Sequence, residues 1–535
     1  MLGEPPMSSA SFSIVCTELS FGWPDGTAVF EDVRFAFGTG RTGLIGANGS
    51  GKSTLLRIIA GELTPSAGSV GVRGAVGYLP QNLPLGASRT VSDLLGISPA
   101  RQALHAIERG DLSEAHFDVV VWDVEERARA ELDRLGLGEV ELDRTVATLS
   151  GGETVLVGLA ARFLAEPEIL LLDEPTNNLD LDARRRLYDA VSSWTRTLVV
   201  VSHDRALLER VDQIADLPAG RTFGGTLSEY EEVLTIEREA AERAVRAAEG
   251  DVRRQRRELA EAQTKLARRV RYGNKMYENK REPKIIMQER KRQAQVSAGK
   301  HRTMHEEKLS EARERLTEAE DAVRDDAEIR VALPATEVPA GRTVLVLDGV
   351  RTAAGPIGDL IVGGPERVAL LGRNGAGKST LLRTITGEIP PAEGTVKVGV
   401  PMRYLPQRLD VLDDSLSLVD NVRAVAPAAS VNAIRAGLAR FLFRGDRAER
   451  PAGTLSGGER FRAVLAALLL AEPAPQLLLL DEPTNNLDLA SVRVLAQALS
   501  AYRGALIVAA HDLPFLESIG ITRWLTAGPE GLTAT

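Results

Sequence analysis

Four motifs occur twice in this chain, in the same order, and this internal repeat constrains the fold more than any other feature of the sequence. The repeated motifs are GANGSGKST (46–54) with GRNGAGKST (372–380), YLPQ (78–81 and 404–407), TLSGGE (148–153 and 454–459) and LLLDEPTNNLDL (170–181 and 478–489). In both copies the glutamine of YLPQ follows the lysine of the first motif by 29 residues, and a histidine follows the aspartate of LLLDE by 30 residues. A repeat of this kind indicates one structural unit present twice.

The two copies differ in length between the glutamine of YLPQ and the serine of TLSGGE. This distance is 69 residues from Gln81 to Ser150, and 49 residues from Gln407 to Ser456. An insertion of about 20 residues in the first copy, within residues 96–140, would account for the difference. We therefore predict a first domain at 1–227, a connecting segment at 228–337 and a second domain at 338–535.

Charge, cysteine content and hydropathy exclude several classes of protein. The chain has 535 residues, a formal net charge of −9 and one cysteine, Cys16, so it has neither an internal disulfide nor a metal site built from cysteines. Cys16 is expected to be a small buried residue in a strand. No stretch approaches the ~18 apolar residues of a membrane span, and the N-terminus lacks a signal-peptide pattern. We expect a cytoplasmic protein with no membrane domain in the chain.

The first motif has the form GxxxxGK[ST], follows an apolar strand and opens a helical pattern, as a phosphate-binding loop does. Backbone N–H groups of such a loop surround the phosphates, the lysine reaches the β and γ oxygens, and the serine hydroxyl ligates Mg²⁺. The sequence predicts two ATP sites. Their phosphate-binding residues are Gly46, Asn48, Gly49, Gly51, Lys52, Ser53 and Thr54 in the first copy, and Gly372, Asn374, Gly375, Gly377, Lys378, Ser379 and Thr380 in the second.

Two carboxylates end the apolar strand of LLLDE in each copy, at the edge where open α/β sheets bind ligands. The aspartates are predicted to hold Mg²⁺ and the glutamates to polarise the attacking water. The histidine after the next apolar strand would contact the γ-phosphate, and the glutamine of YLPQ would reach the metal or the water. The predicted catalytic residues are Glu174, Glu482, His203 and His511, and the predicted Mg²⁺ residues are Ser53, Gln81, Asp173, Ser379, Gln407 and Asp481.

These motifs resemble those of ATP-binding cassette domains. The resemblance implies an α/β fold of two P-loop NTPase cassettes in which the TLSGGE signature of one cassette closes over the ATP held by the other. Ser150, Gly151 and Gly152 would then complete the site of Lys378, while Ser456, Gly457 and Gly458 would complete the site of Lys52. The resemblance also identifies residues 178–180 and 486–488 as the two D-loops.

An aromatic side chain stacks on adenine in that family, and its position differs between the two copies. Phe21 precedes the first P-loop glycine by 25 residues, whereas the counterpart region VRTAAG (350–355) has no aromatic residue. Phe21 is predicted to stack on adenine, with a core position at the end of a strand as the alternative. In the second copy, either Arg351 stacks in its place or the site binds ATP more weakly.

The connecting segment is predicted to form two helices, because glycine and proline nearly vanish from both of its flanks. Apolar residues recur there every seven positions, at Val245, Val252, Leu259 and Leu266 and again at Leu309, Leu316 and Val323. The heptads predict a long antiparallel α-helical coiled coil. Its first helix is expected to end at Gly273–Asn274 and its second to begin near Pro283.

Basic charge is concentrated at the far end of this predicted hairpin. Residues 265–302 contain thirteen Lys and Arg against three Glu, a local net charge of +10 in a chain whose remainder carries −19. Basic side chains contact phosphates, and Tyr and Arg planes stack on unpaired bases, so the stretch suits structured RNA; packing within the tip is the alternative. The predicted RNA contacts are Arg268, Arg269, Arg271, Tyr272, Lys275, Tyr277, Lys280, Arg281, Lys284, Arg290, Lys291 and Arg292.

Two cassettes in one chain, EPTNNLD in both and a charged helical linker resemble the ABC-F family of ribosome-acting ATPases. The family pattern is usually EPTNHLD, from which Asn178 and Asn486 depart. The resemblance implies ATP and Mg²⁺ as cofactors, the ribosome as partner through rRNA and P-site tRNA, and no obligate protein dimer partner. It implies binding at the ribosomal exit site in the ATP-bound closed state and action on P-site tRNA and the peptidyl-transferase centre. The insertion in the first cassette is placed like the family's arm.

The sequence leaves two alternatives open. The protein is either a housekeeping translation factor or one that confers resistance to ribosome-targeting antibiotics. The rivals to an ABC-F role are the fused ATP-binding subunit of a transporter, which needs no long basic hairpin, and a DNA-associated ATPase.

Overall fold

A computed structural model of the chain describes residues 12–83, 88–177, 179–217, 219–278, 303–305, 307–319, 333–407, 411–485 and 487–534, with side chains except at 12, 266, 269, 270, 272–278 and 334. The chain divides into two compact units. The first is formed by Met1–Leu227 together with Ala327–Thr535 and contains both cassettes, and the second is Ser228–Asp326.

The first cassette combines a six-stranded sheet with a three-stranded antiparallel sheet. Its strands are β1 (Phe12–Gly22), β2 (Ala28–Gly38), β3 (Gly40–Ile45), β4 (Ala67–Val72), β5 (Val76–Leu79), β6 (Ile169–Asp173), β7 (Thr197–Val201), β8 (Gln213–Asp216) and β9 (Arg221–Gly224). The large sheet has the order β5-β6-β7-β3-β8-β9 and is parallel except for the β8–β9 pair; the small one has the order β2-β1-β4. Strands β6 and β7 are buried along their whole length, as the apolar runs ILLL and LVVV require of central parallel strands.

Helices cover this sheet and carry the insertion. They are α1 (Lys52–Ile59), α2 (Val91–Leu95), α3 (Ser98–Glu108), α4 (Glu114–Phe117), α5 (Val124–Arg134), α6 (Gly151–Leu164), α7 (Leu181–Ser192) and α8 (Arg205–Leu208). Helix α6 starts at a capping box in which the Ser150 hydroxyl accepts from the Glu153 N–H and the Glu153 carboxylate accepts from the Ser150 N–H.

The second cassette repeats this arrangement. Its strands are β10 (Thr343–Thr352), β11 (Gly355–Gly363), β12 (Arg367–Leu371), β13 (Glu393–Val398), β14 (Met402–Leu405), β15 (Leu477–Asp481), β16 (Ala505–Ala509), β17 (Arg523–Gly528) and β18 (Gly531–Ala534), in sheets of order β14-β15-β16-β12-β17-β18 and β11-β10-β13. Its helices are α11 (Lys378–Thr386), α12 (Leu418–Val425), α13 (Val431–Arg440), α14 (Gly457–Leu469), α15 (Leu489–Ala501) and α16 (Leu513–Ser518). The P-loop NTPase architecture predicted from the repeat is therefore confirmed in both halves.

The extra residues of the first cassette lie around α3 and α4. An isolated β-bridge joins Thr90 to Thr145 in the first cassette, and Ser417 to Pro451 makes the same bridge in the second. Between these bridges the second cassette has α12 and α13, whereas the first has α2, α3, α4 and α5. This insertion exposes Leu112, Phe117 and Trp122, which are 67%, 48% and 64% accessible.

The second unit contains a helix of 52 residues, α9 (Leu227–Glu278), and a helical segment at 303–305 and 307–319, here α10. At 1.5 Å per residue α9 is about 78 Å long. Val252, Leu309 and Ala312 form a small buried cluster with Leu259 and Leu316 packed against it. The heptad positions of the two segments therefore contact each other, and the Arg315 guanidinium lies 3.4 Å from the Asp251 carboxylate beside them.

The predicted end of the first helix at Gly273–Asn274 is wrong, because α9 continues through both residues to Glu278. A glycine inside a helix costs only about 1 kcal/mol relative to alanine, which the neighbouring helix formers offset. Pro283, the predicted start of the second helix, and Val323 lie outside the described residues.

Candidate active sites

Sheet order brings the predicted site residues of each cassette to one edge. In the first cassette β3 pairs with β7, and β7 pairs with β6. Their carboxyl ends lead into Gly46, His203 and Asp173, so three motifs far apart in sequence meet at adjacent strand ends. In the second cassette β12, β16 and β15 place Gly372, His511 and Asp481 in the same way.

The P-loop between β3 and α1 is held by glycines with left-handed backbone angles. Gly49 and Gly51 have φ values of 82° and 94°, and a Cβ on Gly51 would lie 2.5 Å from Val29 Cγ1. Lys52 Nζ donates to the carbonyl oxygens of Gly46 and Ala47 at 2.8 and 3.0 Å. Its ammonium therefore points into the loop. Burial lowers the pKa of Lys52, and the nearby Glu174 carboxylate partly offsets this by raising it. Lys378 makes the same bonds to Gly372 and Arg373.

The aspartate at the end of β6 is oriented through both of its oxygens. Ser53 Oγ donates to Asp173 Oδ1 at 3.0 Å and Tyr78 Oη donates to Oδ2 at 3.4 Å. In the second cassette Ser379 and Tyr404 donate to Asp481 at 3.0 and 3.1 Å. Tyr78 and Tyr404 were not predicted as site residues, although both belong to the repeated YLPQ motif.

A serine hydroxyl beside one carboxylate suits Mg²⁺, which binds proteins through few ligands and keeps phosphates and waters in its shell. The described residues contain no group of three or more His, Cys, Asp or Glu able to enclose a metal without the nucleotide. The donor set therefore fits a Mg²⁺ ion that arrives with ATP.

The glutamate that follows each aspartate has a strained backbone. Glu174 and Glu482 have φ values of 48° and 46°, in the left-handed region that non-glycine residues rarely adopt. The Glu174 N–H donates to the Val201 carbonyl at 2.9 Å and the Glu482 N–H to the Ala509 carbonyl at 2.8 Å, which holds this conformation. Burial raises the pKa of Glu174 to about 8 and that of Glu482 to about 7, and both carboxylates are suited to accept a proton near neutral pH.

Each predicted histidine lies against the glutamate of its own cassette. His203 Nε2 is 3.2 Å from Glu174 Oε1, and His511 Nε2 is 3.3 Å from Glu482 Oε1. Burial lowers the pKa of both histidines to about 3, so both rings are neutral. His511 Nε2 also lies 2.9 Å from Lys378 Nζ, so the ring contacts both the glutamate and the P-loop lysine of its site.

A cavity of about 470 Å³ lies over the first P-loop and has a different aromatic residue in its wall from the one predicted to stack on adenine. It is lined by P-loop residues together with Trp23, Gln81, Glu174, Asn177 and His203. Phe21 is not among the lining residues: it is 8% exposed and packs in the core against Phe30. Trp23 lies edge-on to Phe21 at 5.1 Å and is 39% exposed, so Trp23 is the aromatic that a base entering this cavity would meet.

The second cassette has no aromatic at the equivalent place. Ala67 and Glu393 are the first residues of the equivalent strands β4 and β13. Ser20 pairs with Ala67 and Arg351 pairs with Glu393, so Arg351 is the counterpart of Ser20 and not of Phe21. The turn after β10 instead places Ala354 beside the second P-loop. A Cβ added to Gly377 would lie only 2.7 Å from the Ala354 methyl group. The sequence could not show this, because strand register decides which residues correspond.

The remaining predicted residues lie around these two centres. Gln81 borders the first cavity, and Gln407 is exposed at the end of β14. The signature serines, Ser150 and Ser456, cap α6 and α14, and a Cβ on Gly457 would lie 3.9 Å from the Asn48 Cβ. The second signature thus faces the first P-loop.

The D-loop aspartates also face the opposite cassette. The Asn48 N–H donates to Asp488 Oδ2 at 3.0 Å. The pKa of Lys378, lowered by burial, is raised in part by Asp180. Both ATP sites therefore include groups from both cassettes. Asn178 and Asn486 lie outside the described residues.

Of the predicted RNA contacts, Arg268 and Arg271 are exposed on α9. Arg269, Tyr272, Lys275 and Tyr277 lie on the same helix. The structure does not describe the positions of Lys280, Arg281, Lys284, Arg290, Lys291 and Arg292. None of the described helices combines the length and the run of apolar residues that crossing a lipid bilayer requires.

The fold and the paired sites define a protein with two ATP-binding cassettes, and comparison with known families agrees. The family model described as ABC transporter matches residues 30–177 and 359–485. The RNase-L Inhibitor structure, 20% identical, covers 92% of this chain and 85% of its own with a TM-score of 0.56, a likeness of fold alone.

Three curated relatives match nearly the whole chain. The Probable ATP-binding protein YbiT of Escherichia coli O157:H7 is 31% identical over 94% of both chains. The Tylosin resistance ATP-binding protein TlrC of Streptomyces fradiae is 34% identical over 91% of this chain and 92% of its own. The Energy-dependent translational throttle protein EttA of Mycobacterium tuberculosis is 31% identical over 91% of this chain and 87% of its own. The chain belongs to the ABC-F family of tandem-cassette ATPases.

Proposed function

We propose that this ATPase binds the ribosome at the exit-site region when both cassettes hold ATP, and acts there on P-site tRNA and the peptidyl-transferase centre. The observation that carries the proposal is the 52-residue helix α9 between the cassettes, whose last turns expose Lys265, Arg268 and Arg271. Basic helical surface of this kind binds RNA phosphates. Two of the relatives are named for translation and for resistance to tylosin, which supports a role at the ribosome and hence in the cytoplasm.

Each ATP site has the groups that hydrolysis needs. Lys52 and the P-loop N–H groups would hold the phosphates, and Ser53 with Asp173 would hold Mg²⁺, which supplies charge neutralisation at the β and γ oxygens. Glu174 then orients the attacking water and accepts its proton, while neutral His203 donates or accepts a hydrogen bond at the γ-phosphate. Lys378, Ser379, Asp481, Glu482 and His511 fill these roles in the second site.

Binding of ATP changes ribosome affinity because it favours one state of the cassette pair. ATP completes two sites that are built from both cassettes, so it stabilises the closed pair over an open one. If the closed pair is the form that fits the ribosome, hydrolysis reopens the cassettes and releases the protein.

A matched set of charge variants tests the proposal. K265Q/R268Q/R271Q removes three positive charges near the end of α9, and R243Q/R246Q/R253Q removes three exposed charges nearer its start. We expect the first set to weaken ATP-dependent ribosome binding at least about tenfold and to reduce its salt dependence, because phosphate contacts are lost. The second set should change neither ribosome binding nor its salt dependence by much. Equal effects of the two sets would contradict the assignment of the basic end.

Competition between nucleic acids separates the proposal from its rivals. Purified rRNA and tRNA should displace the protein from ribosomes at lower concentration than duplex DNA does, since unpaired bases are accessible only in the former. Preference for duplex DNA would favour a DNA-associated ATPase instead. Binding to neither, with capture of a membrane protein, would favour a transporter subunit.

Protection against antibiotics is a second candidate function, and its support is the similarity to the tylosin resistance protein over nearly the whole chain. The test is the minimum inhibitory concentration of macrolides, lincosamides, pleuromutilins and phenicols with and without the gene. A rise for one class, absent in the E174Q/E482Q variant, would establish resistance. No change for any class would leave a translation factor.

A further inference from the structure

A buried arginine makes the two cassettes different at their interface. Arg184, in the first turn of α7, is 8% exposed. Its Nε donates to the Leu179 carbonyl at 3.2 Å, and its Nη1 donates to Asp204 Oδ2 at 3.3 Å. Tyr188 Oη donates to the same Asp204 oxygen at 2.7 Å. A buried guanidinium with two oxygen partners fixes both of them, because its donors are planar and rigid.

The two partners of Arg184 belong to different functional loops. Leu179 immediately precedes Asp180, the D-loop aspartate that caps α7 through the Ala183 N–H at 3.0 Å. Asp204 immediately follows His203 of the first ATP site and caps α8 through the Leu207 N–H. Arg184 thus joins the first D-loop to the loop that carries the first histidine.

The first D-loop serves the second ATP site. Two groups of the first cassette act electrostatically on the second site. Asp180 partly offsets the lowering of the Lys378 pKa that burial causes. Arg184 partly offsets the rise of the Glu482 pKa that burial causes. The equivalent aspartate of the second cassette contacts the opposite P-loop directly, through the 3.0 Å bond from Asn48 N–H to Asp488. Groups at this point of each cassette therefore act on the site of the other.

The second cassette has no counterpart of this arginine. Asp180 caps α7 and Asp488 caps α15, so the two aspartates are equivalent. Counting four residues from each aspartate gives Arg184 in α7 and Val492 in α15. Counting eight gives Tyr188 and Ala496. Val492 is buried but has no side-chain hydrogen-bond donor. Valine at this position cannot make the hydrogen bonds that Arg184 makes, although Asp512 follows His511 as Asp204 follows His203.

We propose that Arg184 is a positioning residue that holds the first D-loop, at residues 179–180, for the second ATP site and ties it to the histidine loop of the first. The link joins the His203 loop of the first site to the D-loop of the second through Asp204, Arg184 and Leu179. Only the first cassette has an arginine at this position, because Val492 takes its place in the second. This inference concerns the ATP sites and does not depend on binding to the ribosome.

Site-resolved nucleotide release tests the proposal. In the E174Q/E482Q background, 8-azido-ATP retained at each site is crosslinked at successive times, and the labelled peptides that contain Trp23 and Ala354, beside the base of each site, are quantified by mass spectrometry. R184V, which copies Val492, should speed release from the second site about tenfold, since hydrogen bonds to a charged group are lost. Release from the first site should stay within about twofold of the parent. Equal acceleration at both sites, acceleration at the first alone or no acceleration would each overturn the proposal.

Two controls separate positioning from general destabilisation. Arg41 also bridges a carboxylate and a carbonyl of the first cassette, Asp212 at 2.7 Å and the Ser192 carbonyl at 2.9 Å, and neither partner belongs to an ATP site. R41V should lower the melting temperature without selective release. If R184V fails to fold, D204N removes the charged partner of Arg184 while keeping its size, and the same selective release is expected. R184K should restore part of the retention, because an ammonium reaches one partner but not both.

Discussion

At the scale of single residues, the assignment of Trp23 distinguishes a binding role from a core role. Trp23 borders the cavity over the first P-loop, whereas Phe21 is buried beside it. W23A should weaken ATP binding at the first site about three- to tenfold, the worth of one aromatic stacking contact, and W23F should restore most of it. Fluorescent ATP binding to the E174Q/K378A variant measures the change, because this variant keeps ATP unhydrolysed at the first site and lacks the phosphate-binding lysine of the second.

The matched variant is F21L, which removes a core aromatic without opening the cavity wall. It should lower the melting temperature and leave ATP affinity within about twofold of the parent. Loss of ATP affinity in F21L together with normal affinity in W23A would restore Phe21 as the stacking residue.

The two glutamates predicted to act as bases should make hydrolysis depend on pH. Burial raises the pKa of both Glu174 and Glu482 well above the usual value of a carboxyl group. A glutamate accepts a proton only when ionised, so hydrolysis is suppressed below its pKa and increases above it. In the single-site variants E174Q and E482Q, turnover should therefore rise with pH through the near-neutral range, because the remaining glutamate has a raised pKa.

The pH–rate profile of each variant at saturating ATP and Mg²⁺ is the measurement. Histidine titration would not produce such a rise, because His203 and His511 are already neutral above pH 4 with a pKa of about 3. Profiles that stay flat through the near-neutral range, or that fall with rising pH, would contradict a base role for these glutamates.

At the scale of elements, the heptad contacts of the second unit are a small core that one substitution should open. Leu309 is 9% exposed and packs with Val252 and Ala312. L309A should destabilise this pairing by about 2 kcal/mol, the low end for a buried leucine, because few neighbours surround it. Hydrogen exchange of α9 near Val252 should accelerate while the cassettes keep their protection.

Ile236 supplies the control on the same helix, since it is 58% exposed. I236A should leave exchange of α9 nearly unchanged. Acceleration of exchange throughout the cassettes in L309A would mean that the second unit does not unfold separately.

Predictions from sequence succeeded for elements where local pattern and tertiary context agree. The apolar runs of β6 and β7 predicted buried parallel strands, and both strands are buried along their length. The coiled coil predicted from the heptads stays a prediction, although the heptad residues Val252 and Leu309 share one small buried cluster. The prediction failed at Gly273, where long-helix continuity outweighed the weak helix-breaking effect of one glycine.

Site residues were predictable where chemistry dictates both residue type and spacing, as in the P-loops. Trp23 and Arg184 were not, because each depends on three-dimensional register. The turn between β1 and β2 decides which aromatic faces the cavity, and α7 packing decides what Arg184 reaches. Neither position belongs to a repeated motif.

At the scale of the whole molecule, the central claim is that ATP closes the cassettes into the form that binds the ribosome. Asp488 contacts Asn48 of the first P-loop, and Asp180 acts on Lys378 of the second, so we propose that ATP bound at both sites stabilises the closed pair. Blocking hydrolysis without blocking ATP binding should then trap the complex, and E174Q/E482Q does this with minimal change of shape.

Co-sedimentation of E174Q/E482Q with ribosomes measures this claim most directly. The variant should pellet with ribosomes in ATP and stay in the supernatant in ADP, whereas the wild type should pellet weakly in both because it hydrolyses ATP and leaves. Addition of K52A/K378A, which removes the phosphate-binding lysines, should abolish the ATP-dependent pelleting. If E174Q/E482Q stays in the supernatant in ATP while retaining bound nucleotide, the cassettes close without binding the ribosome and the account is wrong.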